Sequence, residues 1–324
     1  MPKKTLLIRR ARLALTLLLA VASLAACASP PAPPLDTGML VFWRIERADG
    51  TGGSAHLLGT MHLAKEALAL DPAIEAARAA ADEIVLEVAP AELTPHAVIS
   101  VIAERGRAPA GKTFRDFVSA ETARAVDSAL RERKLPIAEW EAFEPWVVTF
   151  MLTSDQLASE GFSQEAGVEH ALIASAATAS KPTRGLETVR EQLERLDALP
   201  LATQELLLRD AATGGERVGS VDLLASAWQR GDLEALAREV FASPSGPGAA
   251  EFFEAIYFAR NRAFADEIAA LVDGGGRWFV AIGAGHMVGE QGIPQLLAAR
   301  GYRVERIAKT DTAAHAKAPR SSKE

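Results

Sequence analysis

Two Gly-x-x-His tetrapeptides, Gly59-Thr60-Met61-His62 and Gly283-Ala284-Gly285-His286, stand near opposite ends of this chain. Each follows an apolar run that reads as a buried strand, Ala55–Leu58 in one case and Trp278–Ile282 in the other. Both histidines are therefore expected on the turn past a strand's carboxyl end, where open α/β sheets hold their ligands. The glycine is expected to let the backbone turn sharply there. A fold that satisfies this pattern has to bring both ends of the chain into one sheet and both imidazoles toward one site.

The rest of the pattern agrees with such a sheet. Met39–Ile45 and Ser54–Leu58 are β-prone runs separated by Ala48-Asp49-Gly50-Thr51-Gly52-Gly53, a hairpin signal. Asp71-Pro72 opens a helix that runs through Ala81 and feeds a short strand, Ile84–Val88. Helical patterns follow at about 94–105, 121–134 and 145–159, with Pro136 and Pro145 as breakers. Gly167–Ser180 reads as another helix, and Lys181-Pro182 leads into a short strand ending in Gly185-Leu186-Glu187-Thr188. Residues 189–243 read as several helices, and Ser243–Gly248 as a break. A long helix at about 249–272 precedes the strand Arg277–Ile282, a helix at 291–300 and a last strand at 302–307. The expected fold class is α+β or α/β, one domain over 39–308 with a mixed sheet built from both ends and a helical insertion between them.

The first 26 residues read as a targeting segment. Lys3, Lys4, Arg9, Arg10 and Arg12 form its basic part, and Leu13–Ala22 is short for a membrane span. Leu24-Ala25-Ala26-Cys27 resembles a bacterial lipobox, with Cys27 as the lipidated residue; the plainer alternative is an ordinary secretory signal. Cys27 is the chain's single cysteine, so the mature domain has no internal disulfide. Residues 27–38 are a proline-rich tether and residues 309–324 a polar, disordered tail. The expected place is the cell envelope, facing the periplasm on a lipid anchor, on the outer membrane in preference to the inner. The targeting segment holds five basic residues and no acidic ones, so its removal takes the formal charge from −7 to −12. That balance disfavours nucleic acid and an electrostatic grip on anionic lipid.

Several residues break the apolar pattern. Glu87 sits inside Ile84–Val88, and a buried carboxylate requires a cation, either a metal or an arginine. Arg260 falls on the stripe of the long helix marked by Ile256 and Phe264, beside Asn261; it either finds partners there or carries its charge out to solvent. Glu187 stands at a helix start, as a catalytic part or as capping chemistry with Thr188. His56, on an expected edge strand, and His96, His170 and His315 are not expected as ligands. Gly283-x-Gly285-x-x-x-Gly289 lacks the dinucleotide-binding spacing, and too little chain follows it for a further βαβ unit.

In their order, Phe42-Trp43, Gly59–His62, Leu86-Glu87, Gly185–Thr188, Arg260-Asn261 and Gly283–Gly289 resemble the TraB/GumN family, whose animal relatives are the Tiki proteases. The resemblance covers roughly residues 39–308. It implies an exported or membrane-tethered metal-dependent hydrolase, a peptidase acting on a peptide or protein substrate. It also implies a metal site of His62, Glu87 and His286, with Arg260 and Asn261 nearby. One departure is Gly167-Val168-Glu169, where many relatives carry Asp in the third position. On this reading a divalent cation (zinc, manganese, cobalt or iron) activates water. Arg260 then stabilises the oxyanion, Asn261 orients substrate, and Glu187 is the general base. The alternatives are an envelope lipoprotein that binds haem or another ligand without turnover, with His62 or His286 as axial ligand and Tyr257 and Tyr302 as the available tyrosines, or a scaffold that has lost its chemistry.

Overall fold

Both ends of the chain meet in one six-stranded sheet of order β4-β3-β5-β2-β1-β6. The strands are β1 (Met39–Arg47), β2 (Ser54–Thr60), β3 (Glu83–Val88), β4 (Thr183–Glu187), β5 (Arg277–Gly283) and β6 (Tyr302–Ala308). β4, β3, β5 and β2 run parallel to one another, and β1 pairs antiparallel with both β2 and β6. The architecture comes from a computed structural model that describes residues 37–214, 217–242 and 244–310. The targeting segment, Cys27, most of the tether, His315 and nearly all of the tail lie outside these residues.

The expected hairpin forms, with Phe42 opposite Leu58 and Ile45 opposite Ala55. β2 is an interior strand, because β5 pairs with its other side. That corrects the expectation of an edge position for His56, whose ring stacks on Phe42 with centroids 5.5 Å apart. Long apolar runs suit β3 and β5, which are buried on both faces over most of their length.

The helices are α1 (Pro72–Ala80), α2 (Pro95–Arg105), α3 (Ala120–Glu132), α4 (Pro145–Ser159), α5 (Val168–Thr178), α6 (Val189–Asp197), α7 (Leu201–Thr213), α8 (Arg217–Arg230) and α9 (Leu233–Phe241). A long helix α10 covers 249–273, and α11 (Ile293–Ala299) precedes β6. Asp71 caps α1 through the Ala73 N–H at 2.8 Å, and Pro72 opens the helix. The same carboxylate accepts from the Thr310 N–H at 2.9 Å, so the chain stays anchored two residues past β6.

The helical insertion has a core of its own. Phe114, Val126, Leu130, Trp140, Val148, Leu152 and Leu208 pack together, away from the sheet. The sheet core gathers Phe42, Ile45, Leu57, Phe279, Phe264 and Ile268 among many others. The two cores adjoin across α4 and α7, which give Val147, Phe150 and Leu207 to the sheet side and Val148, Leu152 and Leu208 to the other. Trp228, on α8, donates from its indole to the Gly59 carbonyl at 2.5 Å. The insertion thereby holds the first Gly-x-x-His turn in place.

Phe42 is fully buried between the His56 and Phe279 rings. Phe42→Ala is expected to lower stability by about 3–5 kcal/mol, read as an earlier urea midpoint with an unchanged slope.

Candidate active site

Four parallel strands end along one edge of the sheet, and each delivers one part of a buried polar cluster. Register sets this alignment: Thr60 pairs with Gly283, Leu86 with Ala281, and Val88 with Glu187. In sheet order the edge carries Glu187 from β4, Glu87 from β3, Gly283 and then His286 past β5, and His62 past β2. His286 sits on a single 3-10 turn, Ala284–Met287.

Glycine serves these turns by its size. Gly283 has φ −48°, which any residue adopts. A Cβ on Gly283, however, would lie 2.5 Å from Nε2 of His62, and one on Gly59 would lie 2.8 Å from Cγ of Met287. Each turn therefore occupies the space its counterpart's glycine leaves open. This corrects the expectation that the glycines are needed for a sharp bend.

Arg260 is the centre of the cluster. It enters from α10, whose segment Glu254–Phe258 is a π-helical turn between the α-helical stretches Ala249–Phe253 and Ala259–Asp273. Nη1 donates to the Ile256 carbonyl at 3.0 Å and to Nε2 of His286 at 3.0 Å. Nε donates to the two carboxylate oxygens of Glu187 at 3.1 and 3.2 Å, and Nη2 bonds both Glu87 and Glu187. The guanidinium also lies over the Phe264 ring, 5.1 Å from its centroid. All five N–H groups are thereby engaged, leaving none for the oxyanion role expected from the resemblance.

Neutral donors complete the two carboxylates. The Gly283 N–H donates to Glu87 at 2.7 Å, and the Gln192 amide donates to Glu187 at 2.6 Å and to Glu87 at 3.3 Å. Burial, the largest single influence, would raise the pKa of Glu87, but Arg260, the two histidines and the Gly283 N–H together outweigh it and bring the value to about 2. The helix cap is made without Glu187. Thr188 and Glu191 form a reciprocal capping box at the start of α6, so the neighbouring glutamate is free for Arg260.

Asn261 fixes the tautomer of His286. Its amide N–H donates to the Gln291 carbonyl at 2.7 Å, so its oxygen faces Nδ1 of His286, 2.5 Å away. Nδ1 thus carries the proton, and Nε2 accepts from Arg260. Burial and then Arg260 push the pKa of His286 down to about 3. This imidazole is neutral, and its free lone pair is already used.

His62 is built differently. Its Nδ1 lies 2.5 Å from a carboxylate oxygen of Glu169, near the start of α5, and Thr60 donates to that same oxygen. Burial would lower the His62 pKa, but the charge and contact of Glu169, with Glu87 beside it, raise it overall. Nε2 points toward Glu87, 3.7 Å from the nearer oxygen. A cavity of about 220 Å³ opens here, with His62, Glu87 and Glu169 at its polar end. Glu169 is the residue that sequence reasoning passed over. The signal was present in the acidic third residue of Gly167-Val168-Glu169.

The structure brings together His62, Glu87, Glu187, Arg260, Asn261 and His286, but not as a metal ligand set. The nitrogen that His286 would offer a metal faces a guanidinium, and the positive charge beside Glu87 is Arg260. Among the described residues, no three His, Cys, Asp or Glu side chains are gathered to hold a metal ion. The donors in this arrangement do not fit the cation expected from the resemblance. Of the tyrosines, Tyr257 is buried against the His286 ring, and Tyr302 reaches the Ala269 carbonyl near the end of α10; neither lines the cavity.

These features define an α/β protein whose charged cluster and cavity occupy the carboxyl edge of a mainly parallel sheet. The sequence model of the TraB/PrgY/gumN family matches residues 41–306, and the chain belongs to that family. It is 23% identical to the uncharacterized protein YbaP of Shigella flexneri over 75% of this chain and 87% of that protein. The YbaP of Escherichia coli K12 is also 23% identical, over 58% of this chain and 69% of that protein. No solved structure matches the chain.

Acid should unfold the domain through His286 before it reaches Glu87. The unfolded imidazole takes up a proton near 6.5 and the folded one near 3, so the unfolded state binds more protons between those values. Stability present above pH 6.5 is therefore lost as the pH falls, by up to about 1.4 kcal/mol per pH unit. Glu87 adds to the loss only below its ordinary value of 4.5. The raised His62 works in the opposite sense, its contribution fading as pH rises above 6.5. Chemical denaturation between pH 6.5 and 4.5 is expected to show a shallower slope in His286→Gln than in wild type.

Proposed function

We propose that this protein hydrolyses peptide or related acyl bonds, with His62 as general base. The observation that carries the reading is the His62–Glu169 pair at the polar end of the cavity. Glu169 orients the imidazole and raises its basicity through Nδ1, which leaves Nε2 directed toward Glu87, a residue that lines the cavity with it. A water between Nε2 and Glu87 would lose its proton to the ring as it attacks the substrate carbonyl. The ring would then return that proton to the leaving group. Arg260, Glu187, Gln192 and Asn261 act as positioning residues, since their polar groups are spent on one another and on the strand ends. The family resemblance supports a peptide or protein substrate, and the lipobox-like Leu24–Cys27 supports a lipid anchor in the envelope.

A mixed peptide library followed by mass spectrometry tests this. His62→Ala is expected to lower kcat/KM by about 10²–10⁴-fold while leaving the fold intact; cleavage at the wild-type rate would remove the assigned base. Activity is expected to rise with pH as His62 deprotonates, with its midpoint above 6.5. Glu169→Gln should move that midpoint toward acid, because it removes the anion that raises the pKa. A chelator is expected to leave the rate unchanged, because Arg260 already supplies the positive charge. Loss of activity that a divalent cation restores would instead return His62 and Glu87 to the role of ligands. In cells, Cys27→Ser is expected to move the protein from the membrane to the soluble fraction.

A further inference from the structure

The cavity beside His62 is two-sided. Its polar side holds His62, Glu87 and Glu169, with Gln164 and His170 beside them; the remaining walls are apolar and come from the same elements that place the polar groups. β3 supplies Leu86 and Val88 on either side of Glu87, and β5 supplies Ala281. These three are buried and form a floor. Pro90 and Leu93, from the segment after β3, and Ile173, from α5, are half-buried and form the sides.

We infer that this pocket receives a large apolar, uncharged side chain of the substrate, from a residue next to the bond that is cut. The inference rests on the hydrolase reading of the same site. Three observations carry it. Ile173 follows Glu169 by one helical turn, so α5 presents the carboxylate that holds His62 and the apolar wall on one face. The offset along the helix is about 6 Å, close to the reach of two residues of extended chain. A side chain seated against Ile173 therefore belongs to a residue close to the carbonyl that His62 serves. Second, a cavity of about 220 Å³ is too small for a drug-sized ligand but admits one leucine-, methionine- or phenylalanine-like group. Third, its lining holds two carboxylates, Glu87 and Glu169, two histidines and no lysine or arginine, so an acidic side chain finds no permanent cation there while an apolar one gains burial.

Binding can be measured apart from turnover. Saturation-transfer NMR on the full protein is expected to detect N-acetyl-leucinamide and to give at least about tenfold weaker binding for N-acetyl-aspartamide. Ile173→Asp should abolish the leucinamide signal. Ile173→Ala, the milder change if the aspartate variant fails to fold, should weaken it several-fold. Equal binding of the two amides, binding of neither, or wild-type affinity in a folded Ile173 variant would overturn the inference.

Discussion

The buried guanidinium of Arg260 is the constraint on which the carboxyl edge of this sheet depends. Two carboxylates from adjacent strands converge there, and neither could remain ionised in an apolar interior alone, because desolvating an ion costs several kcal/mol. Arg260 answers both from one helix, while Gln192 and the Gly283 N–H supply neutral donors without adding charge. Removing one partner from such a cluster costs about 3–5 kcal/mol, because the remaining charge stays buried. The cluster therefore fixes how β3, β4 and α10 meet. Its geometry begins in the backbone of α10, where the π-helical turn passes the Glu254 carbonyl to the Ala259 N–H and the Ile256 carbonyl receives Nη1 of Arg260. The helix and the side chain are thus fitted to each other by one local irregularity.

The two Gly-x-x-His turns show the same mutual fitting at the other side of β5. A side chain at Gly283 would strike His62, and one at Gly59 would strike Val41 and Met287. The motif is a packing rule written twice: each turn is small where the other is large. Trp228 then closes on the Gly59 carbonyl from the insertion, so the helical middle of the chain stabilises a turn built by its ends.

Much of this was legible in the residues. Apolar runs and turn signals identify all six strands, and β3 and β5 read as continuous hydrophobic segments because they are buried on both faces over most of their length. Charges interrupting those runs mark Glu87 and Arg260, because an apolar interior makes an unpaired charge costly. What stayed hidden was which cation answers Glu87, since a metal and an arginine satisfy the same electrostatic demand. The interior position of β2 was hidden as well, because β5 pairs with it from the far end of the chain. Glu169 was missed for a related reason. A carboxylate in the first turn of an amphipathic helix is ordinary helix chemistry, and only the packing of Gly167 against the His62 carbonyl, where a Cβ would lie 2.1 Å from that oxygen, brings it to the imidazole.

The two histidines begin from the same sequence motif and end with opposite electrostatics, and their neighbours account for the difference. His286 meets a guanidinium and an amide oxygen, so its proton stays on Nδ1 and a second proton is strongly disfavoured. His62 meets Glu169 and Glu87, so a second proton is favoured despite burial. A site with two equivalent imidazoles would suit a shared cation. A site with one ring held neutral down to about pH 3 and one basic ring suits proton transfer, because a single group then gains and loses the proton while the other holds the scaffold. The cavity is lined by His62 and not by His286, so the ring whose neighbours favour a change of charge is the one that borders open space.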